Sequence, residues 1–250
     1  MKKFHRFPLY LFVIIWCAAC QPATPIPTLE PTLPPTTHTP LPSATATIVP
    51  TLTPTLVPTP ESPYFTENFD NELSRWAILQ AGGADTPQTR LNNGFLVFDL
   101  AAPYDWVYAI AGSFTYSDVR VDALMQNQGQ DPASLGLICR YSEQDGWFEF
   151  NISGDGTYNV LYGQWLDKDV ARYTPIAMSD SEYIKKGGVQ NEIGLTCQGK
   201  YLLLYLNGKL FRKLDVSRFN LNEGKVGLSV SSFENTPVTA AFDWVKVSEP

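Results

Sequence analysis

From Tyr64 to Pro250 the apolar residues recur at every second position in short runs, and turn-forming residues close each run. Alternation of that kind sends successive side chains to opposite faces of an extended chain, so it predicts strands rather than helices. Two runs are especially informative. Asn92-Asn93-Gly94 leads into Phe95-Leu96-Val97-Phe98, and Tyr201–Leu206 passes through Asn207-Gly208 into Lys209-Leu210-Phe211. Asn-Gly between apolar runs favours a two-residue hairpin, because both residues tolerate positive φ. Further strands are expected at 106–111, 119–126, 135–141, 147–152, 158–164, 193–197, 226–231 and 240–247. The clusters Ser142-Glu143-Gln144-Asp145-Gly146 and Ser153-Gly154-Asp155-Gly156 read as turns between them. No window sustains a 3.6-residue apolar period, and 180–186 offers at most one helical turn. About a dozen strands without crossover helices imply an all-β sandwich of two antiparallel sheets.

The preceding residues are different material. Of 20 prolines in the 250-residue chain, 13 fall between Gln21 and Pro63, and all 17 glycines lie outside that stretch. Repeated Pro-Thr units without glycine favour an extended, polyproline-like spacer. Before it, Lys2, Lys3 and Arg6 precede the mostly apolar run Phe7–Ala19, the pattern of an export signal. Its end, Cys17-Ala18-Ala19-Cys20, resembles the lipobox of bacterial lipoproteins, although Cys17 stands where that family usually has leucine. The resemblance implies lipidation of Cys20 and an extracytoplasmic protein anchored to the bacterial membrane through its N-terminal lipid. An ordinary signal-peptidase cut or a short transmembrane anchor are the alternatives. Three regions are therefore expected: signal peptide 1–20, linker 21–63 and β-sandwich 64–250.

The sandwich region also resembles a known superfamily. Phe69-Asp70-Asn71 with Leu73 and Trp76, then Gly136–Arg140 leading to Trp147–Ile152, then Leu202–Gly208 and Gly224–Leu228, and finally Phe242–Val247 follow an order similar to concanavalin A-like jelly rolls. Laminin-G-like modules and domains related to 3-keto-disaccharide hydrolases are included. That resemblance implies a jelly-roll sandwich and a role among lectins, carbohydrate-binding modules, glycanases or adhesive modules. Fold alone does not choose among them.

Charge and residue inventory narrow the choice. Without the basic leader and with Glu30 and Glu61 set aside, the domain carries −8, so it has no basic face for nucleic acid. The chain's only histidines, His5 and His38, lie in leader and linker. Ser-His-Asp, Cys-His and His-ligated metal chemistry are thereby excluded from the domain. Calcium has no motif: Asp155, Asp167 and Asp169 sit in oxygen-rich loops, but no Asp-x-Asp-x-Asp-Gly loop occurs. No cofactor is expected.

Cys139 and Cys197 remain as a pair. Parity puts Cys139 with Leu135, Leu137 and Tyr141, and Cys197 with Ile193 and Leu195, both on apolar faces. In an exported protein a bridge between them is expected, closing a loop worth roughly 3–4 kcal/mol; two buried free thiols are the alternative.

Glu143, Asp145 and Glu149 are the candidate catalytic carboxylates. They resemble the alternating Glu-Asp-Glu strand of superfamily glucanases, but three residues separate Asp145 from Glu149 and the first two fall in a turn. Hydrolysis wants two carboxyls about 5–5.5 Å or about 6.5–9.5 Å apart. Binding is the better-supported expectation. On 147–152, parity gives Phe148, Phe150 and Ile152 to the core and Trp147, Glu149 and Asn151 to the other face, with Arg140, Arg120 and Asp122 expected beside them. A tryptophan among hydrogen-bonding groups on an open sheet suits a sugar ring. Trp165 follows with Tyr158 and Tyr162, and Tyr104 with Trp106 precede another strand. Trp76 and Trp244 are assigned to the core. The expected function is recognition of carbohydrate or another extracellular polymer. A carboxylate glycoside hydrolase and an adhesion module with a protein partner are the alternatives.

Overall fold

The computed structural model describes residues 61–129 and 131–250. The expected signal peptide with Cys20, and the expected linker up to residue 60, lie outside the described residues. Fifteen strands follow in chain order: β1 (Phe65–Glu67), β2 (Trp76–Gly82), β3 (Gln88–Asn92), β4 (Phe95–Leu100), β5 (Asp105–Ala111), β6 (Val119–Asn127), β7 (Ala133–Ser142), β8 (Gly146–Ser153), β9 (Thr157–Asp167), β10 (Val170–Asp180), β11 (Asn191–Gln198), β12 (Tyr201–Leu206), β13 (Lys209–Asp215), β14 (Lys225–Ser232) and β15 (Val238–Ser248). They form two antiparallel sheets. One has the order β13-β12-β11-β6-β15-β4-β3 with β1 added to β15; the other runs β10-β9-β8-β7-β14-β5-β2. We call them sheet A and sheet B. This is the expected all-β jelly-roll sandwich.

Local chemistry explains the elements. Asn93 and Gly94 have φ of 51° and 79°, and Asn207 and Gly208 have 48° and 80°, the paired positive values that join β3 to β4 and β12 to β13. The core lies between the sheets, where Phe148, Phe150 and Ile152 of β8 pack with Leu135, Leu137, Leu195 and Leu204. Cys139 of β7 and Cys197 of β11 form the expected disulfide, with Cα atoms 6.5 Å apart. It links sheet B to sheet A through the core. Trp76 is in this core as assigned.

Bulges overturn parity at two places. Between Cys139 and Ser142 the β7–β8 register shifts, and Arg140 takes a φ of 55°. Tyr141 consequently leaves the inner face, where alternation had put it, and joins the outer face of sheet B. Arg140 does not join the outer face either. Its Nε and Nη2 donate to Ser117 O (3.1 and 2.8 Å), Nη1 to Leu221 O (2.9 Å) and Nη2 to Gly199 O (2.8 Å). A fully buried guanidinium thus ties β7 to three connecting segments. In β15 a shift between Phe242 and Trp244 does the same to Trp244, which is half-buried on the outside of sheet A rather than in the core. Arg120 and Asp122 are also on sheet A, not beside Trp147. There they form a two-point ion pair at 2.8 and 2.9 Å, and the Arg120 guanidinium stacks on Tyr205. Tyr158 and Tyr162 belong to the core.

Candidate functional site

The outer face of sheet B was expected to be open at Trp147, Glu149 and Asn151. It is closed. Trp147 is 0% exposed, Glu149 1% and Asn151 2%. The cause is the β9–β10 hairpin. Up to Gly163, β9 pairs with β8; beyond it the hairpin crosses the outer face and reaches the far edge of the sheet. Gly82 N–H of β2 donates to Asp169 O at the hairpin turn (3.1 Å). Tyr173 of β10 stacks on Trp106 of β5 with centroids 5.6 Å apart, and the Tyr173 and Tyr108 hydroxyls hydrogen-bond. In pairing order β10 and β5 are separated by four strands, so only a hairpin folded across the sheet brings these rings together. A side chain at Gly163 would collide with the Trp147 indole, so glycine permits the crossing.

The result is a second apolar cluster outside sheet B: Ala81, Tyr108, Ile110, Ile138, Tyr141 and Trp147, with Trp106, Trp165 and Tyr173 against it. Beside it lies a polar chain. Trp147 Nε1–H donates to Glu149 Oε2 (3.0 Å), and Asn151 Nδ2 donates to Glu149 Oε1 (2.8 Å) and to Asn159 Oδ1 (3.0 Å). Ser229 Oγ donates to Asn151 Oδ1 (2.7 Å). Both oxygens of Glu149 therefore accept neutral donors, and among the described residues no cation pairs with it. Burial pushes its carboxyl above the usual range, and the bonds from Trp147 and Asn151 only partly oppose that. Burial, reinforced by the Glu149 charge, also raises the Tyr108 and Tyr173 hydroxyls. The Tyr108–Tyr173 hydroxyl pair, the Trp106–Tyr173 stack and the Gly82 bond hold the hairpin down, and the polar chain fixes Trp147 beneath it.

The open part of this face lies at one end. Ile78, Leu79 and Gln80 of β2, Tyr141 near the end of β7, Glu143 of the β7–β8 turn, and Trp165 with Asp167–Asp169 of the hairpin enclose a cleft of about 540 Å³. That falls within the ~300–1,000 Å³ of small-ligand sites. Trp165 is half-buried. Its Nε1–H donates to Tyr141 OH (3.0 Å), and its ring leans on Trp147 with centroids 5.2 Å apart. The aromatic wall is thus braced from behind by the second cluster. Gln80 is oriented by donating to Asp85 O (2.8 Å) and Asp105 Oδ1 (3.0 Å). Of the expected ligand-binding set, Trp165 lines the cleft; Trp147, Glu149 and Asn151 lie sealed behind it, and Arg140 is spent on backbone carbonyls.

The catalytic candidates separate. Glu143 and Asp145 sit exposed in the expected turn, where Ser142 Oγ donates to Asp145 Oδ2 (3.1 Å), whereas Glu149 is interior. Asp155 accepts from Thr157, and Asp167 from Lys168 N–H. Among the described residues no group of three or more His, Cys, Asp or Glu is placed to hold a metal. Alternation could not point to Tyr141, Gln80 or the hairpin tip; Trp165 was their nearest signal.

No protein-family model matches the chain, and a search of curated proteins finds no relative. Solved structures do match in fold. A β-glucanase of Bacillus licheniformis superposes with a TM-score of 0.53 at 13% identity, over 75% of this chain and 98% of that one. A Bacillus subtilis protein of unknown function with a galectin-like fold gives 0.56 at 12%, over 74% and 94%. A Bacteroides ovatus glycoside hydrolase family 16 enzyme, in complex with a G4G4G3G product, gives 0.51 at 11%, over 74% and 99%. The domain shares the jelly-roll sandwich fold of these structures.

Proposed function

We propose that this protein binds carbohydrate in the cleft between β2, the β7–β8 turn and the β9–β10 tip, displayed outside the cell on a lipid anchor at Cys20 and an extended Pro/Thr spacer. The observation that carries the reading is the cleft itself. An aromatic wall of Trp165 and Tyr141 is set among the acceptors of Glu143, Asp167 and Asp169. A pyranose presents an apolar C–H face and a ring of hydroxyl donors, which matches an aromatic wall set among acceptors. The fold relatives named above include a β-glucanase and a hydrolase holding an oligosaccharide product, which supports a saccharide as the ligand class.

Binding is favoured over hydrolysis by Glu149. Its strand position makes it the natural partner for a turn carboxylate, yet both its oxygens are occupied and the hairpin covers it. A hydrolytic pair needs both carboxyls facing one substrate. Glycan-array screening of the full chain tests the reading, with Trp165→Ala as the control. We expect binding to one glycan class that Trp165→Ala abolishes; no glycan bound, or reducing sugar released from a polysaccharide panel, would overturn it.

A further inference from the structure

We propose that the cleft selects a positively charged saccharide, an amino-sugar polymer with free amines, over neutral glycans. The inference deepens the carbohydrate reading and rests on it.

Tyr141 and Glu143 also line a second hollow of about 280 Å³ on the other side of the β7–β8 turn, together with Asp145, Glu223 and Lys225. Five carboxylates line the two neighbouring hollows, Glu143, Asp145, Asp167, Asp169 and Glu223, against two ammonium groups, Lys168 and Lys225. None of the five enters an ion pair among the described residues. The hydrogen bonds to Asp145 and Asp167 are local turn contacts.

Such a lining discriminates chemically. Ionised carboxylates accept from neutral hydroxyls and from ammonium groups alike, but only the ammonium brings a charge of its own to the bond. A protonated amine offers three donors and a charge, and it also suits the face of Trp165. The site is more than a solvated acidic patch, because apolar side chains flank the charges. Leu166 and Val170 on either side of the tip are 59% and 50% exposed, and Ile78 in the cleft wall is 37% exposed. The C–H faces of a saccharide can cover such groups; a small cation cannot.

The test is titration calorimetry of the full chain with a de-N-acetylated glucosamine oligosaccharide, its N-acetylated counterpart, a neutral β-glucan oligosaccharide and oligolysine, at mildly acidic pH. We expect the free-amine saccharide to bind about tenfold tighter than the N-acetylated one, the order given by two or three screened surface pairs, with the preference shrinking in high salt. The triple variant Glu143→Gln, Asp167→Asn, Asp169→Asn should lose the preference and keep its fold. Asp169 has a φ of 59°, which asparagine tolerates, and at position 167 the amide oxygen introduced by Asp167→Asn would still accept from Lys168 N–H. Trp165→Ala should lose both saccharides. Equal affinity for charged and neutral saccharides, or a preference the triple variant retains, would overturn the proposal while leaving the carbohydrate reading standing. Oligolysine bound as tightly as the amino sugar, with Trp165→Ala indifferent, would replace the saccharide by a cationic peptide. No saccharide bound at all would remove both.

Discussion

The two faces of β8 are equally buried for different reasons. Phe148, Phe150 and Ile152 point inward and pack across the sandwich against sheet A. Trp147, Glu149 and Asn151 point outward, where an open sheet would leave them wet, and are buried because the β9–β10 hairpin lies over them. The inner face is held by apolar area that the whole fold shares. The outer face is held by a hydroxyl pair, stacked rings and one backbone bond from Gly82. Burial by itself therefore does not separate core from cover. The partners do.

The largest effects should fall on the inner face. Phe150→Ala should cost about 3–5 kcal/mol, measured by chemical denaturation, as for other aromatic-to-alanine changes in cores. Amide exchange should then rise throughout the sandwich rather than in the hairpin alone. Replacing Cys139 and Cys197 together by alanine should cost roughly 3–4 kcal/mol, since the bridge spans a separation of 58 residues and joins the two sheets. A loss below about 1 kcal/mol would mean that packing alone holds the sheets in register.

Changes on the outer face should be smaller and local. Glu149→Ala leaves the Trp147 and Asn151 donors without an acceptor, at about 1–3 kcal/mol. The pH dependence of Glu149 has a definite sign. Its carboxyl is raised in the folded state, so the folded protein holds a proton that the unfolded chain has already released. The contribution of Glu149 to stability is therefore full below the ordinary carboxylate range and falls as pH rises toward its raised folded value. Urea denaturation across that window should show wild type losing stability relative to Glu149→Gln. A constant difference would mean that Glu149 ionises as freely inside as outside. Smallest of all, Tyr173→Phe removes the hydroxyl contact with Tyr108 and should cost about 1 kcal/mol, with faster amide exchange confined to β9 beyond Gly163 and β10.

This contrast also explains what could be read from the chain. Alternation and Asn-Gly turns are local signals, so the hairpins at Asn93-Gly94 and Asn207-Gly208, the inner face of β8 and the pairing of Cys139 with Cys197 were all legible. Strand β10 was not, because Pro175 interrupts it and the run Ile176-Ala177-Met178 after it does not alternate. An edge strand tolerates a proline, and a register shift follows it between Pro175 and Ala177. The bulges at Arg140 and near Asp243 each insert a residue and so reverse parity beyond them, which misplaced Tyr141 and Trp244. The cleft was partly visible in Trp165. Its other walls come from β2, the β7–β8 turn and the hairpin tip, segments far apart in sequence. Parity says which way a side chain points; it carries no information about what lies over it.

The central claim is that ligand binds in the cleft at Trp165 while Glu149 serves only to seat Trp147 and Asn151 beneath the hairpin. Titration of the glycan identified by array onto Trp165→Ala and Glu149→Gln tests it in one measurement. Binding is predicted to vanish in Trp165→Ala and to persist within a few-fold of wild type in Glu149→Gln. Loss in Glu149→Gln with retention in Trp165→Ala would contradict the account and move the site beneath the hairpin.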